Sequence, residues 1–134
     1  MIAADSSVLV AAILASHEFH EPCYESAGLV DASIGHALLE TYAVLTRLPQ
    51  PHTVVPAQAS AAVRSYSFRV LLLPPEELAD TIDRFATARV SGGACYDALI
   101  AATAAHHDTT LLTRDERAAE TYERIGADVT WVAT

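Results

Sequence analysis

Four carboxylates in this chain sit where inert ones are uncommon. Asp5 closes the apolar opening stretch Met1-Ile2-Ala3-Ala4, and Asp115 follows the run Thr110-Leu111-Leu112-Thr113. Glu40 lies on the amphipathic segment His36 to Leu48, and Asp97 interrupts the nearly all-apolar segment Ala94 to Ala102. An ionised carboxylate is rarely buried unless it is paired or bound to a metal. All 8 basic residues are arginines, against 17 acids, so cations to pair with are scarce. Converged acids of this kind suit Mg2+ or Mn2+, hard cations that take oxygen ligands and keep some of their water. In two-metal sites the ions lie ~4 Å apart and clamp the attacking and leaving oxygens of a phosphodiester, with a metal-activated water as nucleophile. Two divalent ions would neutralise four carboxylates, and no His or Ser is then required as base or nucleophile.

Each acid also has a plainer reading. Asp5 could cap the helix that follows it, and Asp115 could cap the last helix, where Thr113 could serve as well. Glu40 could be an ordinary solvated helix position. Asp97 could favour the N-terminal dipole of its helix, but its neighbours are apolar, which makes it the hardest of the four to dismiss.

The elements that must position these acids follow from periodicity and breakers. Met1 to Asp5 predicts a strand, leading into a helix near Ser7 to Ala15. A second helix follows Glu21-Pro22 and ends near Gly28, and Asp31 to Ile34 is a short strand. Leu38, Tyr42 and Leu45 have helical spacing, and Pro49 and Pro51 stop that helix. Pro56 to Tyr66 is a further helix and Val70 to Leu73 a buried strand closed by Pro74-Pro75. Glu76 to Arg89 is a helix with Leu78, Ile82, Phe85 and Ala86 on one face, broken by Gly92-Gly93. Cys95 to His106 is an apolar helix that should pack deep. Thr110 to Thr113 is a strand, Arg114 to Ile125 a helix ended by Gly126, and Val129 to Val132 a last strand. Strands alternating with helices predict an α/β fold with a parallel sheet covered on both faces. Function in such folds sits at the carboxyl ends of strands, where Asp5 and Asp115 both fall.

Composition narrows the field. A length of 134 residues predicts one domain over 1–134, and 51% hydrophobic against 19% charged content predicts a packed core rather than disorder. Apolar runs fall well short of the ~20 residues of a membrane span, and the N-terminus lacks a basic region before its apolar stretch, so a cytoplasmic protein is expected. Cys23 and Cys95 are too few for a disulfide framework, and neither has a zinc-ligand partner nearby. Without lysine there is neither a Walker A loop nor Schiff-base chemistry. The net charge of −9 is unusual for a nucleic-acid binder. Removing the four acids still leaves 13 against 8 arginines. Either the arginines cluster, or metal neutralises the site, or the acidic face serves a basic protein partner.

The motifs Asp5-Ser6-Ser7-Val8-Leu9, Glu40 with Arg47 seven residues on, Tyr96-Asp97-Ala98-Leu99-Ile100-Ala101-Ala102-Thr103-Ala104, and Leu111-Leu112-Thr113-Arg114-Asp115 together resemble a PIN domain. Length and motif order are similar to the VapC toxins of VapBC toxin–antitoxin modules, across essentially the whole chain. The block from Tyr96 to Ala104 is the most specific part. The resemblance implies a three-layer α/β/α sandwich with a central parallel sheet. It also implies a Mg2+- or Mn2+-dependent endoribonuclease acting on single-stranded RNA, with Asp5, Glu40, Asp97 and Asp115 as the catalytic and metal-binding acids. It makes Ser6 and Thr113 the candidate supporting hydroxyls, and implies a homodimer inhibited by a VapB-like antitoxin. An antitoxin tail that inserts Arg or Lys into the acids would account for the negative charge.

Arg47 shares the face of Glu40, two turns on, and could contact RNA phosphate or pair with a carboxylate. Arg114 and Arg117 flank Asp115 and are further phosphate candidates. His17 and His20 lie three apart, but nothing nearby completes a metal site, and the His106-His107 pair is better placed as a helix-terminal cation. Tyr24, Tyr42, Tyr66, Phe68 and Phe85 fit core or dimer contacts, and Trp131 is expected to be packed. Two rivals stand beside the ribonuclease: another acid-cluster phosphohydrolase or DNA nuclease, and a non-catalytic acidic docking module for a basic protein partner. A halo-acid-type phosphatase would want Asp at position 7, which is Ser, and a receiver domain would want a Lys.

Overall fold

The computed structural model describes residues 1–134. Its elements run β1 Ile2–Ala4, α1 Ser6–Ile13, α2 His20–Ala27, β2 Ala32–Ile34, α3 Gly35–Arg47, α4 Pro56–Ser65, β3 Arg69–Leu71, a 3-10 turn Pro75–Glu77, α5 Leu78–Thr87, α6 Ala94–His106, β4 Thr110–Thr113, α7 Glu116–Ile125 and β5 Asp128–Trp131. No helix is long and apolar enough to cross a membrane.

Every strand pair is parallel, as crossover helices between strands require. β4 lies between β1 and β5, with Ala4 opposite Leu112 and Thr113 opposite Trp131. β2 pairs with β3, Ile34 opposite Leu71. Asp31 joins the two pieces: its N–H donates to the Ile2 carbonyl at 3.0 Å and its Oδ1 accepts from the Ile2 N–H at 2.7 Å. The strand order across the molecule is therefore β3-β2-β1-β4-β5.

Alternation along the strands sorts the core into two layers. Ala3 and Leu111 point to one side, into Ile100, Ala101 and Ala104 of α6 and Ala118 and Tyr122 of α7. Ala4 and Leu112 point to the other, into Val8, Leu9 and Ala12 of α1 and Cys23 and Ala27 of α2. The result is a three-layer α/β/α sandwich around a parallel sheet, as the sequence predicts. The alanines of α6 leave little bulk between helix and sheet, so its backbone lies close against β4 and β2.

The sheet edges depart from expectation. The third strand is Arg69–Leu71 rather than 70 to 73, and it is not a buried strand: Val70 and Leu72 are exposed. As an edge strand it is covered on one side only. Trp131, expected to be packed, is 42% exposed on the opposite edge. On α5 only Phe85 of the expected apolar face is buried. Leu78 and Ile82 are exposed and instead border an apolar groove shared with Cys95, Tyr96 and Leu99 of α6.

Candidate active site

The parallel register brings the ends of β1 and β4 side by side. Asp5, one residue beyond β1, donates its N–H to the Leu112 carbonyl at 3.0 Å. Its carboxylate thus meets Thr113, the last residue of β4. Asp5 is 1% exposed and fully engaged. Oδ1 accepts from the Ser7 hydroxyl at 2.5 Å and from the Val8 N–H at 3.3 Å, the latter capping α1. Oδ2 accepts from the Thr113 hydroxyl at 2.5 Å and the Tyr122 hydroxyl at 2.8 Å. Four donors fill the four acceptor positions of one carboxylate. Burial pushes the Asp5 carboxyl above its usual range, against the pull of these donors.

The other three acids surround this hub. Asp115 caps α7, its Oδ1 accepting from the N–H groups of Arg117 at 3.0 Å and Ala118 at 3.2 Å. Its own N–H donates to Thr113 Oγ1 at 3.1 Å, so Thr113 braces both aspartates. Glu40, half-buried on α3, accepts a hydrogen bond from the Ser6 hydroxyl. Asp97 is half-buried in the first turn of α6. Its carboxyl is pushed up to about 6, first by burial and then by the charges of Glu40, Asp115 and Asp5. The capping readings of Asp5 and Asp115 are therefore correct, and both caps stand within one acidic crevice. A cavity of about 310 Å³ opens beside Ser6, Ser7 and Asp115.

No three His, Cys, Asp or Glu side chains stand at metal-cage spacing as they are oriented. The hydrogen bonds account for this: Asp5 is turned inward to hydroxyls, Asp115 toward its helix, Glu40 toward Ser6. The donor set nonetheless fits a hard divalent cation. Its groups are all carboxylate oxygens, and every charge acting on Asp97 is negative.

The arginines divide. Arg47 is exposed in the last turn of α3, and Arg117 is exposed in the first turn of α7. Arg114 is half-buried and borders the same cavity as Ser6, Ser7 and Asp115, with part of its guanidinium already engaged. Its guanidinium carbon lies 3.8 Å from the Phe19 ring centroid and 5.0 Å from that of Trp131, and Nη1 donates to the Val132 carbonyl. Its Nε is buried without a partner. The apolar stem and planar head serve as a spacer between the α1–α2 connection and β5. The histidines near it are also engaged: His17 Nδ1 accepts from the Phe19 N–H at 3.0 Å, and His20 Nδ1 lies 2.8 Å from the Ala11 carbonyl.

Two site residues escape sequence reasoning. Ser7 donates to Asp5 and accepts from the Arg114 N–H at 2.9 Å. Tyr122 is 1% exposed, and burial beside Asp5 pushes its phenol well above its ordinary range, so it stays a donor. The available signal was its place on the inward stripe with Ala118 and Ile125: a buried phenol needs a partner.

With this geometry described, comparison with known proteins is specific. A family model described as PIN domain matches residues 2–124. The chain is 44% identical to Ribonuclease VapC40 of Mycobacterium tuberculosis over 130 residues, 96% of this chain and 97% of that protein. It is 39% identical to Ribonuclease VapC27 of the same organism, over 96% of this chain and 94% of that one. Among solved structures, a chain of FitAB bound to an IR36 DNA fragment superposes with a TM-score of 0.71 at 19% identity, covering 98% of this chain and 94% of its own. PAE2754 from Pyrobaculum aerophilum superposes at 0.62 with 22% identity, covering 96% and 89%. At these identities the two structures speak for the fold alone.

Proposed function

The chain belongs to the PIN-domain family, and from that premise we propose that it is the endoribonuclease toxin of a type II toxin–antitoxin module, dependent on Mg2+ or Mn2+. The observation that carries this reading is the raised carboxyl of Asp97. Burial raises it first, and Glu40, Asp115 and Asp5, gathered with it near the carboxyl ends of parallel strands, push it further. Structural carboxylates are not gathered this way without cations to offset them. The ribonuclease names of the two relatives, each aligned over nearly the full chain, support RNA as the substrate class.

Asp97, Asp115 and Glu40 would hold the cation, with Asp5 contributing charge from beneath. A divalent cation, when bound, supplies charge neutralisation and lowers the pKa of a water at neutral pH. The remaining roles belong to the chain itself. Thr113 and Ser7 fix Asp5, Thr113 also fixes the backbone of Asp115, and Ser6 fixes Glu40. Arg47 and Arg117, both exposed, are the arginines available to RNA phosphates. A VapB-like antitoxin placing Arg or Lys against the acids would exploit the same negative field, and a homodimer in the cytoplasm completes the assignment.

The test is cleavage of a panel of single-stranded and structured RNAs by purified protein in Mg2+, Mn2+ or EDTA, beside an Asp97→Asn control. Metal-dependent cutting that the variant lacks supports the reading. Metal binding without cutting of any RNA would sink it, and would favour an acidic module that only docks a basic partner.

A further inference from the structure

A strand cut by these acids finds few cations to hold it, since the chain carries −9 and much of the Arg114 head is engaged within the fold, so contacts beyond those of Arg47 and Arg117 are needed. The facing surfaces of α3 and α6 offer a second means. His36 and Glu40 are one turn apart on α3 and share a face. Tyr96 and Asp97 are consecutive in the first turn of α6. The Glu40 charge acts on Asp97 across the cleft. Across that same cleft the rings of His36 and Tyr96 lie parallel, 5.6 Å between centroids and 9° between planes. That is offset stacking. Tyr96 is nevertheless 59% exposed, so the pair fixes the plane of a ring that solvent still reaches.

We infer that His36 and Tyr96 form a stacking platform for an unpaired nucleobase beside the scissile phosphate; the inference rests on the RNA-cleaving reading of the neighbouring acids. A flat, fixed aromatic surface gains from another flat π-face, and every base has one. Only single strands present that face, because bases in a duplex are stacked on their own neighbours. Tyr96 also borders the apolar groove along α5, which a protein helix could fill. An aliphatic side chain would gain nothing from the parallel alignment of the two rings, so the nucleobase is favoured. Stacking is also insensitive to salt, which suits an RNA enzyme short of free cations.

The experiment titrates short single-stranded RNAs carrying 2-aminopurine into Asp97→Asn protein and reads affinity and fluorescence quenching. The same titration is run with Tyr96→Ala, Tyr96→Leu, Tyr96→Phe or His36→Ala added. Tyr96→Ala and Tyr96→Leu should each weaken binding about ten- to hundredfold and abolish the quenching. Tyr96→Phe should keep both, and His36→Ala should lose part of each. Equal affinity and quenching in Tyr96→Ala would overturn the platform, as would Tyr96→Leu binding like wild type, which would show an apolar contact rather than stacking. Companion assays in the Asp97 background separate the two readings. Quenching by wild type without metal-dependent cutting removes the nuclease and keeps the platform; cutting with an unchanged KM in Tyr96→Ala does the reverse.

Discussion

The Tyr122 hydroxyl lies 2.8 Å from Asp5 Oδ2, and this one bond ties the second half of α7 to the end of β1. Both residues are 1% exposed, so the phenol has no water to turn to and the carboxylate no other donor in reserve. A bond to a buried charge is among the stronger ones a fold contains. Tyr122→Phe keeps the packing and deletes only the donor. It should cost about 2 kcal/mol and lower the melting temperature by several degrees. An unchanged melting temperature would mean that the three remaining donors satisfy Asp5 by themselves.

The arginines should separate by role. Arg114→Lys removes a planar head that lies over Phe19 and bonds the Val132 carbonyl, so thermal stability should fall by about 1–2 kcal/mol. Arg47→Ala and Arg117→Ala should leave the melting temperature nearly unchanged. They should instead weaken RNA binding uniformly across sequences and flatten its dependence on salt. Binding assays over a range of salt concentrations, run beside melting curves, distinguish the two classes. A stable Arg114→Lys protein with a flattened salt slope would instead make Arg114 a phosphate ligand.

The difference between these arginines marks where sequence reading reaches its limit. Three of the acids stand out because they break a local pattern, Asp97 in an apolar helix and Asp5 and Asp115 just past apolar strands, whereas Glu40, on an amphipathic helix, breaks none. Alternation of strands and helices gave the layers, because the parallel sheet and its crossovers leave few other arrangements. Arg114, Ser7 and Tyr122 obey local rules, and their roles come from contacts more than a hundred residues away or across the sheet. Arg114 sits beside Asp115 in the chain, yet its head turns toward Phe19 and β5. The exposure of Val70, Leu72 and Trp131 was hidden for a related reason: sequence does not say which strands lie at an edge.

The pH dependence of stability follows from Asp97. Its carboxyl is held at about 6 in the folded protein against an ordinary value of 3.8. The folded state therefore binds the proton more tightly than the unfolded chain. Its stability should rise as pH falls through about 6, with the gain complete below 3.8. Asp97→Asn removes the repelled charge and should be the more stable protein at neutral pH. Because the group is half-exposed and screened, the gain is about 1 kcal/mol. The difference should shrink to nothing as the solution approaches the ordinary Asp value. Melting curves of both proteins across that range check this, and parallel pH profiles would show that Asp97 is not held in a strained ionisation state.

Divalent cations should act on the same repulsion from the other side. If Glu40, Asp97 and Asp115 hold Mn2+ or Mg2+, the ion offsets the charges that push Asp97 up, and the folded state alone gains. At a hundredfold excess over Kd the gain is about 2.7 kcal/mol, read as a rise in melting temperature that EDTA reverses. Protons compete with the metal for these carboxylates, so the rise should shrink as pH falls through the Asp97 value of about 6. Asp97→Asn should lose most of it at every pH, whereas Arg117→Ala should keep it. A metal-induced rise that survives Asp97→Asn, or that stays constant with pH, would place the ion elsewhere on this acidic surface and leave the four carboxylates without their proposed role.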